Sequence, residues 1–162
     1  MFWRSDRKEW KSMLPTEVLK RVSIFAGLSQ EELQQVAALS RPVQYNRGEV
    51  VLREGEASNE LYVIGKGMVE ILVGAGDQDA RPVLNLGTGQ VFGEMALVDR
   101  GARSATVRAT TDETVLYAIP SDALLRLCEE NTHIGFVMMR NLAAELSLKI
   151  RLRNIADRMG AS

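Results

Sequence analysis

The chain has 162 residues, of which 46% are hydrophobic and 25% charged, with a net charge of -1. That profile fits one soluble globular domain able to bury a core without disulfides, and the near-zero charge argues against a nucleic-acid binder that relies on clustered Lys and Arg. A single cysteine, Cys128, excludes an intramolecular disulfide, and a single histidine, His133, removes the usual zinc sites.

The N-terminus reads MFWRSDRKEW, charged almost from its first residue, with no apolar core of a signal peptide. No stretch approaches the roughly 18 apolar residues of a membrane span. Together with the lone cysteine this predicts a cytoplasmic protein. Trp3 and Trp10 alternate with Arg4, Arg7, Lys8 and Lys11. The expectation is that the tryptophans dock on this domain or on a partner chain, with a short interfacial helix as the other reading.

From residue 14 to 42 the pattern is helical. Val18, Val22 and Phe25, then Leu33, Val36 and Ala37, recur at helical spacing. Gly27 ends one short helix, and Ser29 with Glu32 forms the signature of a capping box that starts the next. The predicted N-terminal helical segment covers residues 1–41.

Between Pro42 and Pro120 short runs of branched and aromatic residues replace the helical period. They are VVL (50–52), LYVI (61–64), VEILV (69–73), PVLNL (82–86), SATVRAT (104–110) and TVLYAI (114–119), punctuated by glycines. Spacing of about ten residues predicts a compact antiparallel roll or barrel over 42–120. One segment breaks the strand pattern: GEMALV, residues 93–98, reads as a single helical turn.

Helices resume over 121–162. Ser121 is an expected N-cap for DALLRLCEEN, in which Cys128 is a small core residue. His133 is a polar residue near the next helix start. The last helix carries two apolar stripes, Ile134, Val137, Met138, Leu142, Leu146 and Ile150, then Leu148, Leu152, Ile155 and Met159. Such width exceeds one contact face, so the helix is wedged between surfaces or pairs one stripe with another subunit. The fold class is therefore α+β, mainly β.

The chemistry concentrates in GQVFGEMALVDRGARSATVRA, residues 89–109. Gly93 and Glu94 open the helical turn, where unpaired backbone N–H groups and the helix dipole favour an anion. Arg103 can hold a phosphate by a paired contact, and Ser104 adds a hydroxyl donor. Glu94 repels a phosphate but can accept from a sugar hydroxyl. Small residues at Ala96, Ala102 and Ala105 leave room. Spacing alone leaves an equally simple reading, a surface ion pair between Glu94 and Arg103 flanked by ordinary turns.

The run Phe92 to Leu97 followed by Arg103 to Val107 resembles the phosphate-binding cassette of the cyclic nucleotide-binding domain family, the β-roll type of catabolite activators, kinase regulatory subunits and channels. The resemblance extends over nearly the whole chain and implies an antiparallel β-roll, a jelly-roll-like barrel, with N-terminal helices and two C-terminal helices. It implies that the cassette, 92–107, meets a cyclic phosphate through the backbones of Gly93, Glu94, Met95, Ala96, Ser104 and Ala105. Arg103 would neutralise the charge, and Glu94 would accept from the ribose 2′-OH. Ile71, Val83 and Phe92 would form an apolar wall for base or sugar, though plain core roles fit them as well. Many members carry Pro before the arginine, where this chain has Ala102. Candidates for the cap over the base are Arg140, Lys149 and Arg151, or a hydrophobic lid from Leu142 or Leu146.

The expected function is a cyclic-nucleotide sensor, for cAMP in preference to cGMP because Ser104 stands where cGMP-preferring members often have Thr. It acts through its C-terminal helix on a partner protein or in a homodimer. The alternative is a ligand-independent interaction or scaffold domain that retains the roll. No nucleophile–base pair or metal cluster points to an enzyme, and no cofactor beyond the nucleotide ligand is expected. No DNA-binding module follows the last helix, so the expectation is a free-standing sensor domain or a piece of a larger regulator.

Overall fold

The capping box is formed as the spacing predicts. Ser29 N–H donates to Glu32 Oε1 at 3.0 Å, and Glu32 N–H donates to Ser29 Oγ at 3.2 Å. The computed structural model, which describes residues 15–57, 59–74, 81–98, 103 and 105–160, places this box at the start of α2 (Gln30–Ala37). The preceding apolar run forms α1 (Pro15–Leu19) and a separate 3-10 turn (Ser23–Phe25) rather than one helix reaching Gly27. Hydrogen bonding tightens there from Lys20 N to Thr16 O, a four-residue step, to three-residue steps at Arg21 and Val22. The tighter winding lets Leu19, Val22, Ile24 and Phe25 all be buried. Trp3 and Trp10 lie outside the described residues.

Among the described residues eight strands follow: β1 (Arg41–Tyr45), β2 (Val50–Leu52), β3 (Glu60–Lys66), β4 (Val69–Val73), β5 (Arg81–Leu86), β6 (Val91–Phe92), β7 (Thr106–Ala109) and β8 (Thr114–Pro120). They form two antiparallel four-stranded sheets, β1-β8-β3-β6 and β2-β7-β4-β5. The fold is thus the mainly antiparallel β-roll with flanking helices that the strand spacing predicts. β1 and β6 are absent from the strand runs read in the sequence. β1 begins with Arg-Pro and lies at a sheet edge, where proline is tolerated. β6 has only two residues, too short for a pattern.

The continuous apolar character of β3 and β8 has a structural cause. Their alternate residues serve two cores. Leu61, Val63, Val115, Tyr117 and Ile119 face outward into a cluster with the helices, joined by Phe25, Leu33, Ile134 and Met138. Tyr62, Ile64, Leu116 and Ala118 face into the roll, with Val69, Leu86, Phe92 and Val107. One sheet is therefore covered on both sides, and the helices are bonded to it by apolar burial.

At the end of β8 the chain passes into α3 (Ser121–Glu130) and, after Asn131, into α4 (Thr132–Gly160). Ser121 does not act as an N-cap. It is the first helical residue, and both its N–H and its hydroxyl donate to the Asn59 carbonyl, at 2.9 and 3.0 Å. The side chain thus ties the helix start to the strand-3 loop. Cys128 is half-buried, and burial, followed by the Glu129 charge, raises its thiol pKa. His133 Nδ1 lies 2.7 Å from Glu32 Oε2, linking the start of α4 to α2. The 29 residues of α4 span about 43 Å at about 1.5 Å per residue. Ile134, Val137, Met138 and Leu142 are buried, whereas Leu148, Ile150, Leu152, Ile155 and Met159 are exposed. No helix among the described residues is long and apolar enough to cross a membrane.

Candidate functional site

The predicted helical turn is a 3-10 turn, Glu94–Leu97, which follows β6 and precedes β7 in the chain. Gly93 precedes it with φ +79°, a left-handed conformation that favours glycine. Space requires glycine as well. A Cβ there would stand 2.4 Å from Arg103 Nη1 and 3.0 Å from the Glu60 carbonyl oxygen. The guanidinium therefore packs directly on the Gly93 backbone, which brings the two ends of the motif together.

Arg103 is held from both sides. Its N–H donates to the Glu56 carbonyl at 2.8 Å, and its own carbonyl accepts from Gly55 N–H at 2.8 Å. Nη2 donates to the Glu60 carbonyl. Nε is buried and has no hydrogen-bond partner among the described residues. Burial lowers the Arg103 pKa, against the opposing influence of Tyr62, Glu60 and Glu94. A guanidinium stays charged in proteins, so the site holds a partly desolvated cation with an unused donor. An anionic oxygen would relieve both features.

A cleft of about 740 Å³ opens beside this cation. Gly93, Glu94, Met95, Ala96, Arg103 and Ala105 all line it. Phe92 and Ile71 do so too. Phe92 also stacks on Tyr62, ring centroids 5.1 Å apart, so it serves core and cleft at once. Ser104 lies outside the described residues. Val83 is a correction: it is 60% exposed and does not line the cleft, whereas Leu84 and Leu86 do. Ile71 pairs with Leu84, and the register shifts between Ile71 and Leu72. Leu84 and Leu86 share the parity that pairs with Ile71 and Val69, and Val83, one residue away from Leu84, belongs to the other parity.

The far wall comes from α4. Glu145, Leu148, Lys149 and Leu152 line the cleft. Of the residues expected to cap it, Lys149 is present, with Nζ 3.5 Å from Glu94 Oε1. Arg140 instead lies over the Phe136 ring, 5.6 Å from its centroid. Leu142 is buried in the helix-facing core, and Leu146 packs against that core. Arg151 is exposed and does not line the cleft. Leu148 and Leu152 were legible only as half of a second stripe, because helix rotation about its axis decides which residues look into the cleft. The role of Glu60 had no sequence signal, since it acts through its carbonyl. Among the described residues no group of His, Cys, Asp and Glu could hold a metal ion.

The family model described as "Cyclic nucleotide-binding domain" matches residues 42–131. A cGMP-dependent protein kinase of Eimeria tenella is 34% identical over 110 residues, which are 68% of this chain and 10% of the kinase. A CRP-like cAMP-activated global transcriptional regulator of Mycobacterium tuberculosis is 29% identical over 141 residues, 87% of this chain and 62% of the regulator. The crystal structure of Thermus thermophilus catabolite activator protein superposes with a TM-score of 0.73 at 29% identity, covering 85% of this chain and 62% of that one. The chain thus spans less than two thirds of each of these relatives.

Proposed function

The chain belongs to the cyclic nucleotide-binding domain family, and from that premise we propose that its cleft binds a cyclic purine nucleotide, cAMP in preference to cGMP. The observation that carries the reading is Arg103: a half-buried side chain whose buried Nε has no partner among the described residues, packed on Gly93 at the edge of the cleft. It takes the cyclic phosphate. The backbone from Gly93 to Ala96 and at Ala105 contacts the same group, with Ser104 as a further donor. Glu94 accepts a hydrogen bond from the ribose 2′-OH. Ile71, Leu84 and Leu86 supply apolar surface to the sugar and base, and Leu148 and Leu152 close over it from α4. The preference for cAMP rests on Ser104 following Arg103. Relatives named for each nucleotide occur, so the chemistry of the cassette is shared and its selectivity is local.

No step in this function is catalytic, and the nucleotide is the ligand, with no further cofactor. The protein acts in the cytoplasm by population shift: a nucleotide that binds the lid-docked form more tightly than the open one moves α4. The exposed half of α4, with Ile150, Ile155 and Met159, then meets a second copy or a partner protein.

Isothermal calorimetry with cAMP and cGMP tests the reading. The wild type binds cAMP more tightly. Arg103→Ala weakens it about 100-fold or more, from the loss of two charge-assisted hydrogen bonds at about 1.5–3 kcal/mol each. Failure of both nucleotides to bind at high micromolar concentration overturns it. A nucleotide-insensitive assembly in light scattering, with no binding, would instead identify an interaction domain.

A further inference from the structure

Along α4 a polar row repeats every four residues, about one turn. Asn141 Nδ2 donates to the carbonyls of Ile24 and Ala26 at 3.0 and 2.8 Å. Glu145 accepts from the Ser23 hydroxyl. Lys149 reaches Glu94. The first two contacts fasten the helix to the N-terminal 3-10 turn. That docking sets where the third side chain can go, and it delivers an ammonium group to the cassette.

The pair is unequal. The Lys149 side chain is 64% exposed and that of Glu94 14%. The carboxylate is largely shielded from water, while the lysine keeps most of its hydration. A carboxylate offers about four lone-pair positions on two oxygens. Lys149 Nζ meets Oε1 at 3.5 Å, which uses one of those positions and leaves the carboxylate able to accept from a second donor. The lysine and a sugar hydroxyl can therefore be held together by the same carboxylate.

We infer that Lys149 is a positioning residue: by pairing with Glu94 it orients the carboxylate for the ribose 2′-hydroxyl and couples recognition of that hydroxyl to docking of α4. This rests on reading the cleft as a cyclic-nucleotide site. Lys149 does not touch the base in this role, and it does not compete with the sugar. Loss of the amine removes the partner that orients Glu94 and the contact that links the cleft-lining part of α4 to the cassette.

The test compares cAMP with 2′-deoxy-cAMP by calorimetry on the wild type, Lys149→Met and Lys149→Arg. In the wild type, removing the 2′-hydroxyl weakens binding about 10- to 100-fold, the scale of a hydrogen bond to a charged group. In Lys149→Met that ratio falls about three- to fivefold, the scale of a partly exposed ion pair, and Lys149→Arg restores it. Circular dichroism and the unfolding midpoint establish that the variants are folded, as an exposed side chain on a long helix permits. A Lys149→Met ratio equal to the wild-type ratio overturns the inference, because a merely structural lysine would weaken both ligands alike. A larger ratio overturns it too, since that marks competition. A wild type that binds cAMP tightly but ignores the 2′-hydroxyl refutes only this role. A wild type that binds neither ligand refutes the site itself.

Discussion

Gly93→Ala separates backbone strain from the geometry of the site, because Gly48→Ala supplies a matched control. Both glycines sit at similar positive φ, +79° and +88°. An alanine in that region costs about 1–2 kcal/mol. At Gly48 nothing lies within 4 Å of the added Cβ, so the cost ends there. At Gly93 the Cβ would sit 2.4 Å from Arg103 Nη1 and 3.0 Å from the Glu60 carbonyl oxygen. The carbonyl is backbone in β3 and cannot yield cheaply, so the guanidinium must move and its bond to Glu60 is lost. A hydrogen bond from a charged donor adds about 1.5–3 kcal/mol. Gly93→Ala should then cost about 2.5–5 kcal/mol against about 1–2 kcal/mol for Gly48→Ala. Urea unfolding followed by circular dichroism measures both losses, and calorimetry measures cAMP binding in the same samples. Gly93→Ala should also bind cAMP at least about tenfold more weakly, with Gly48→Ala at the wild-type value. Equal stability losses in the two variants, or unchanged cAMP binding in a folded Gly93→Ala protein, would refute the packing of Arg103 on Gly93 as the basis of the site.

Two further outcomes follow from contacts outside the cleft. Asn141→Ala removes two donations to the Ile24 and Ala26 carbonyls and should destabilise by about 1–3 kcal/mol. Faster amide exchange in α4 than in β3 or β8 would accompany it, and uniform exchange would contradict its role as a helix anchor. The second concerns acid. The Ser29 backbone N–H, and next the His133 side chain, hold the Glu32 carboxyl below its ordinary value of 4.5. A depressed folded-state pKa contributes stability that is present above the unfolded value and lost as pH falls through the folded one. Unfolding free energy should therefore decline from about pH 5 toward pH 3, and Glu32→Gln should flatten that decline. An unchanged slope in Glu32→Gln would remove Glu32 from the acid response.

The sequence by itself determined the elements whose rules are local. Ser29 and Glu32 stand three residues apart, so a capping box needs nothing beyond its own turn. The strand spacing and the glycine punctuation specify a roll, and the short distance from Gly93 to Arg103 brings a cation and a helical turn within reach of one cleft. Only the tertiary structure decided what depends on register, rotation and distant partners. Leu84, paired with Ile71, lines the cleft, and its neighbour Val83 does not, because the pairing of β5 with β4 decides which parity of the strand meets the cleft. Ser121 donates to a carbonyl 62 residues earlier instead of capping its helix. Arg103 is held by the carbonyl of Glu60, which no side-chain pattern reveals. Lys149, Leu148 and Leu152 form the far wall because the buried Ile134, Met138 and Leu142, with the contacts of Asn141 and Glu145 to the N-terminal turn, set the rotation of α4. Periodicity states that a helix has an apolar face; long-range bonds decide which cleft that face covers.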